Sequence, residues 1–465
     1  MTTRQRLVRF ARSVSFAQLV GCCVCLVASS VSAASPSVSQ SDHYWPQWRG
    51  PLASGTSTTA HPPLEWSEDK NIKWKVPIPG AGTASPIIWG DQIFIQTAIP
   101  TGKIEAAESP SPDIEKAAPK AGGRGLPNID KPTEVHQFVL LCLDRTTGKE
   151  LWRKIPREEV PHEGHHPDHG YASFSPITDG TCVISYFGSR GLHCYEMNGE
   201  PRWSKDLGKM KTNFSFGEGS SPALVDNTVV INWDHEGDDF IAAFDKRTGD
   251  ELWRTPRDEK TGWATPLVVS VDGKYQVIVA ATSKTRAYDL ADGHLIWECA
   301  GLKPNSIPSP VAADGLVYVT TGFQGSAMQA IKLGQSGDLT GTDTVAWKLD
   351  KDTPYVPSPL LYEGRLYFFK VNDGIISCVN AKTGENLFGP QRVEGLKGAY
   401  ASPVAADGRV YLVGRNGTTV VIKAGSAFEV LATNALDDPI DASPALVGNE
   451  LFLRSKEHLY CIAEK

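Results

Sequence analysis

The stretch FIAAFDKRTGDELW, residues 240–253, reads as a β-hairpin. An apolar run closes on Asp245, a four-residue turn follows in which Gly249 takes the positive φ that other residues resist, and a second strand carries Trp253. The same frame runs from Asp144 through Gly148 to Trp152, from Asp289 through Gly293 to Trp297, and from Asn380 through Gly384 to Phe388. A looser copy runs from Tyr195 through Gly199 to Trp203. One hairpin repeated along a chain marks a repeat architecture, not a string of unrelated domains.

A second landmark keeps the same period. Ser-Pro or Thr-Pro precedes an apolar run at Pro86, Pro176, Pro222, Pro266, Pro310, Pro359, Pro403 and Pro444. From Pro176 onward the spacings are 46, 44, 44, 49, 44 and 41 residues, whereas 90 separate Pro86 from Pro176, so the first unit carries an insert over residues 98–137. Each unit reads as four strands; in the third they fall near 222–225, 228–233, 240–245 and 251–254. A four-stranded sheet cannot bury both faces alone, and sheets packed side by side around an axis can. The expected fold is all-β, an eight-bladed β-propeller of four-stranded antiparallel blades. The last unit, with strands near 443–447, 450–454 and 458–463, is one strand short. Upstream, Asn71-Ile-Lys-Trp-Lys-Val76 is a strand without a partner, with Trp74 where an outer-strand tryptophan belongs, and it is expected to complete the eighth blade and remove the open edge.

Composition sets the remaining bounds. The 465 residues are 41% hydrophobic and 21% charged, with 43 Gly and 32 Pro, a globular balance rich in turn formers. A net charge of -7 and no basic run after the leader argue against a grip on nucleic-acid phosphate. Residues 1–33 read as a signal peptide: Arg4, Arg6, Arg9 and Arg12 precede a mostly apolar run, and Val31-Ser-Ala33 offers small residues for cleavage. Export to the periplasm or the exterior is expected. A rival reading lipidates Cys22, because Leu19-Val-Gly-Cys22 resembles a lipobox, but the apolar run before it is short. No later stretch reaches the roughly 18 apolar residues needed to cross a bilayer. Residues 34–65 read as an extension leading into the propeller and 66–465 as the propeller itself. The cysteines beyond the leader read as small core side chains, and Cys182 and Cys194, which flank one hairpin, are able to pair in an oxidising compartment.

Over most of the chain after Trp66 these repeats resemble the tryptophan-containing repeats of quinoprotein-type (PQQ-like) propellers. The same repeats build the propeller of the outer-membrane barrel-assembly lipoprotein, which carries no cofactor. Trp45-Pro-Gln-Trp-Arg-Gly-Pro51, with Asp245-Lys-Arg-Thr-Gly249, is similar to a large family of exported bacterial propellers. The chain departs from the repeat at Phe388 and at Lys423-Ala-Gly-Ser426, where the turn is degenerate. The resemblance to the dehydrogenases implies PQQ, Ca²⁺, a carboxylate base and, in many members, a vicinal disulfide. The Cys-Cys pair here is Cys22-Cys23, inside the leader, and the flanks of Glu218 and Asp441 match no motif of that family.

In a propeller, the loops between strands two and three emerge on the same face as the connectors between blades. That face is expected to gather the 98–137 insert, the connector Pro161-His-Glu-Gly-His-His-Pro-Asp-His-Gly170 and the loop Asp234-His-Glu-Gly-Asp-Asp239. His162-Glu-Gly-His-His166 formally satisfies H-E-x-x-H, but Pro161, Gly164 and Pro167 oppose the helix that would aim both imidazoles at one metal. A polar surface loop is the first expectation; a divalent-metal site built from His162, His165, His166 or His169 is the second. Residues just before the Pro landmarks should approach the mouth of the central channel: Tyr171, Phe174, Phe216, Glu218, Trp263, Tyr355, Tyr400 and Asp441. Two acids among aromatics suit a flat ligand or a sugar, although bulky core plugs are the simpler reading. The chain shows no G-x-S-x-G elbow, P-loop or C-x-x-C pair. The expected function is that of an exported, noncatalytic, monomeric scaffold offering its loop-rich face to a protein or envelope partner, with no cofactor. The alternatives are a PQQ- and Ca²⁺-dependent dehydrogenase and a carbohydrate or small-ligand binder at the channel mouth.

Overall fold

The computed structural model describes residues 40–105 and 129–464, so the expected leader with Cys22 and Cys23 and the middle of the insert lie outside the described residues. The hairpin at 240–253 forms as its sequence dictates. Asp245 Oδ1 accepts the N–H groups of Arg247 (2.7 Å) and Thr248 (3.3 Å), while Gly249 N–H donates to Asp245 O at 2.7 Å. Gly249 takes φ 73°, and Gly148, Gly293 and Gly384 take nearly the same angle in their own turns. The strand before the turn, Phe240–Asp245, is buried through Phe244, whereas Glu251–Pro256 after it is largely exposed except at Trp253.

Strand pairing explains a pattern among small residues. The residue across from the outer-strand aromatic is Cys142 for Trp152, Cys194 for Trp203, Ala243 for Trp253, Ala287 for Trp297, Ala330 for Trp347, Cys378 for Phe388 and Cys461 for Trp74. A large ring lying over its cross-strand neighbour leaves room there only for a small side chain. These cysteines therefore serve as packing residues, and the described ones are free thiols. Cys182 and Cys194, diagonal neighbours on adjacent strands, are in side-chain contact.

The described residues form eight sheets, each built on four antiparallel strands; the fourth carries an added parallel strand, Gly337–Asp338, on its outer edge. The ring closes as expected. Ile72–Pro77 pairs antiparallel with His458–Ala463 and completes the sheet that holds Glu450–Arg454 and Ala445–Val447. In the first blade, strands two and three, Gln92–Ile104 and Glu134–Asp144, extend into the insert as a paired ribbon.

Two belts hold the blades to one another. At the outer edge, a tryptophan of one blade donates its indole N–H to a carbonyl in the next blade's turn: Trp74 to Arg145, Trp152 to Met197, Trp203 to Lys246, Trp253 to Leu290 and Trp347 to Ala381, at 2.8–3.2 Å. The indole lies against the turn glycine so closely that a Cβ on Gly249 would meet Trp203 at 2.6 Å. At the inner edge, seven of the eight Ser-Pro or Thr-Pro landmark hydroxyls accept the backbone N–H of the preceding landmark: Ser85 to Ser175, Ser175 to Ser221, Ser221 to Thr265, Thr265 to Ser309, Ser309 to Ser358, Ser358 to Ser402 and Ser402 to Ser443. Proline ends the run of donors, and the residue before it stays extended, so the hydroxyl takes over the bonding between blades. Where blade eight meets blade one, Arg454 NH1 spans the seam to Ala84 O (3.0 Å) and Gln96 O (2.7 Å).

Candidate functional site: the axial cavity

The chain just upstream of each landmark reaches the axis. Counting back two positions from each hydroxyl gives Thr83, Ser173, Gly219, Trp263, Ile307, Val356, Tyr400 and Asp441, and all of these line one cavity of about 500 Å³. The hydroxyl belt is uniform, while this second belt has almost no two residues alike. Repetition therefore builds the frame, and the variable ring gives the cavity its identity.

The floor comes from the segment singled out near the N-terminus. Trp45 N–H donates to Ile88 O and Thr178 N–H to Pro46 O, while at the other end Ser57 N–H donates to Ala405 O. The segment thus crosses from blades one and two to blade seven. On the way Trp48 faces the cavity, and Arg49, 2% exposed, donates NH1 to Pro403 O (2.7 Å) and NH2 to Pro359 O (2.9 Å) and Ser54 O (3.0 Å). Burial without a counter-ion lowers Arg49 to about 9, so it keeps its charge at neutral pH by bonding to carbonyls.

The connector 161–170 roofs one side. His166 N–H donates to Phe216 O, and His169 Nε2 donates to Glu218 O at 3.0 Å while its Nδ1 accepts from Ser173 Oγ at 2.9 Å. Burial, followed by the charge of His165, brings His169 down to about 4, which leaves it neutral. Asp168 then reaches across to the far side of the mouth, accepting Arg415 NH2 (2.8 Å) and Tyr400 O–H (3.1 Å). Arg415 also donates Nε to Asp441 at 2.7 Å and lies 4.0 Å over the Tyr400 ring. Burial works against the charge on Asp168, but the bonds from Arg415 and Tyr400 outweigh it and hold the carboxyl below its ordinary range.

Of the expected mouth residues, Phe216, Trp263, Tyr355, Tyr400 and Asp441 line the cavity, joined by His166 and His169 from the histidine connector. Tyr171, Phe174 and Glu218 face an adjacent crevice instead. Glu218, 6% exposed, accepts from Ser189 N–H (2.7 Å), Ser189 O–H (2.6 Å) and Arg190 NH1 (3.1 Å). The four histidines do not converge. His162 comes near the carboxylates of Glu163 and Glu218 while its Nε2 donates to Met210 O at 2.6 Å, and His166 Nδ1 lies 3.9 Å from the carboxylate of Asp168. His165 instead packs edge-on against Tyr171. Trp48, Phe323 and Arg415 escaped the sequence reading; two-residue counting would have found the second belt, but nothing local pairs Arg415 with Asp168.

Among the described residues the expected rim is contiguous. Gly164 packs on Ile129 and Asp130, Glu163 accepts from Thr212, and Lys211 N–H donates to His235 Nδ1.

Comparison with known proteins places the chain. A quinohemoprotein alcohol dehydrogenase from Pseudomonas putida HK5 is similar in structure, with a TM-score of 0.55 at 9% identity over 91% of this chain and 80% of that one. BamB from Moraxella catarrhalis scores 0.38 at 16% identity over 62% of this chain and 95% of its own. The quinohemoprotein alcohol dehydrogenase from Comamonas testosteroni scores 0.46 at 14% identity, covering 91% and 81%. At 9% identity the likeness to the Pseudomonas putida enzyme is one of fold alone. No curated protein matches the chain. The family model described as outer membrane protein assembly factor BamB matches residues 136–389 and again 237–465, an overlap expected of a repeat that fits itself in more than one register. By that match, which spans well over half its length, the chain belongs to this PQQ-like repeat family of β-propellers.

Proposed function

We propose that the chain is a noncatalytic propeller that binds a small ligand in its axial cavity. The observation that carries this reading is the contrast between the belts: a uniform hydroxyl ring and a dedicated floor enclose about 500 Å³, within the usual size of ligand pockets, behind a ring of unlike residues. Aromatic walls with a few placed polar groups are the usual makeup of such sites. The test is a ligand-observed NMR screen of a mixed set of polar metabolites. Cavity binders are expected to lose their signal with Trp263→Ala and Tyr400→Ala; a screen whose hits survive both variants, or that gives none, overturns the reading.

The PQQ–Ca²⁺ alternative fits poorly on the chemistry of the donors. That quinone is a tricarboxylate, yet among the described residues the lining offers no lysine or arginine, and its two carboxylates, Asp168 and Asp441, are both committed to Arg415. The described groups compact enough to hold a cation centre on Glu218, Asp292 and Asp438, none of which lines the cavity.

A second reading, supported by family membership, is the partner-binding scaffold. The family's model carries the description of an outer membrane protein assembly factor, and the contiguous rim at 129–130, 161–170, 211–212 and 234–239 offers a surface for a protein or envelope partner. The leader pattern and the family support export, and no helix among the described residues is long and apolar enough to cross a membrane. A pull-down from envelope extract with the full chain and with a variant lacking residues 105–131 tests it: a specific partner lost with the deletion supports the scaffold, and identical profiles count against it.

A further inference from the structure

We infer that the axial cavity selects an uncharged, polyhydroxylated ligand, a neutral saccharide in chemical class; the inference rests on the ligand-binding reading above and goes further by naming what is bound. Its basis is that each charged group around the cavity is already bonded within the protein. Arg415 is held between Asp168 at 2.8 Å and Asp441 at 2.7 Å. Behind the floor, Arg49 is spent on three carbonyls, and Arg454 on two. A charged ligand would have to desolvate without a partner or break the Asp168–Arg415–Asp441 bridge, and both are costly in a recess walled by protein.

What remains unspent is the bonding capacity that a sugar uses. The belt hydroxyls of Ser221, Thr265, Ser402 and Ser443 accept a backbone N–H, line the cavity and retain an O–H donor of their own. Apolar C–H faces have their counterpart in rigid aromatic platforms. Phe323 and Tyr355 stack at 4.9 Å with 23° between their planes. Trp263 is pinned by its indole N–H on Gly217 O at 2.8 Å, which turns the polar edge away and leaves ring surface to the cavity.

The test is isothermal titration of the full chain at pH 7 with neutral mono- to trisaccharides of the glucose, galactose, mannose and xylose series, and with glucuronic acid and glucosamine as charged counterparts. A neutral saccharide is expected to bind about tenfold or more tighter than either counterpart, and Trp263→Ala to weaken it by a similar factor. Arg415→Gln leaves two carboxylates unmatched, so it should shift preference toward glucosamine several-fold without unfolding the chain. If glucuronic acid or glucosamine binds the unaltered cavity more tightly than every neutral sugar, the saccharide class is wrong while ligand binding stands. If the NMR screen yields cavity-dependent hits but no neutral sugar binds, the class is equally wrong. If that screen shows no cavity-dependent ligand at all, the underlying reading falls and the class with it.

Discussion

At the outer edge of the propeller one contact recurs at five blade junctions, a tryptophan locked to the next blade's turn; at the mouth, the residues of the second belt are nearly all different. The edge is also satisfied within itself, every lock donating an indole N–H to a waiting carbonyl. The mouth and its connector hold groups that burial pushes off their ordinary titration, His169 down to about 4 and Glu163 up to about 8, whereas in the edge turn bonds from Arg247 hold Asp245 down to about 2. Stability and individuality are thus carried by different regions.

The largest way to break that division is to open the ring. Deleting the chain through Val76 removes the strand paired with His458–Ala463, the Trp74 lock and the Arg49 floor at once, and the melting temperature should fall by on the order of 10 °C or more. An unchanged melt would mean that the closing strand does not hold the ends together. A finer comparison sets two tryptophans ten residues apart against each other. Trp253→Ala empties a packed junction and should cost about 3–5 kcal/mol by chemical denaturation, whereas Trp263→Ala enlarges an existing cavity and should cost about 1 kcal/mol. Equal costs would erase the distinction between frame and site.

The edge was legible in the sequence because it repeats. Asp245, Gly249 and Trp253 recur with their spacing, and the Ser-Pro landmark counted the blades before its hydroxyl belt was known. Small residues opposite each tryptophan were visible as an alternation of cysteine and alanine, though only the strand register shows why. The mouth was half legible. Trp263, Tyr355, Tyr400 and Asp441 could be placed because they stand just before a landmark, but Glu218, which stands there too, turns away into the crevice. Asp168 and Arg415 are 247 residues apart and join only through a loop that crosses the mouth, so no local pattern announces them. Arg49 is similar: its segment was noticed as a motif, but its role depends on carbonyls more than 300 residues away.

The mouth-side connector also carries a pH signature that reaches neutral pH. Burial, and then the charge of Glu218, raise Glu163 from 4.5 to about 8, although bonds from Thr212 oppose the shift. Between those values the folded chain holds a proton that the unfolded chain has released, so stability falls as pH rises from about 4.5 toward 8 and levels off beyond. Glu163→Gln keeps an acceptor for Thr212 and has no proton to lose. It should match the parent near pH 4.5 and be more stable by about 1–3 kcal/mol at pH 8 in urea titrations. Parallel pH profiles would show that Glu163 does not carry this shift.

The smallest expected effect examines the edge one residue over. Leu252 is 50% exposed beside Trp253, which is 8% exposed, because alternate residues of the outer strand point to opposite sides and only one side meets the next blade. Leu151 stands in the same relation to Trp152 at 51% exposure. Replacing both leucines with serine removes little buried surface, so the stability change should stay within about 0.5 kcal/mol per site. The pair also tests the expectation of a monomer. If the outer faces of blades one and three were covered by a second copy, the double variant would lose more than about 2 kcal/mol and its sedimentation would shift to a smaller species. A neutral result with unchanged sedimentation leaves the outer face as the frame's solvent side.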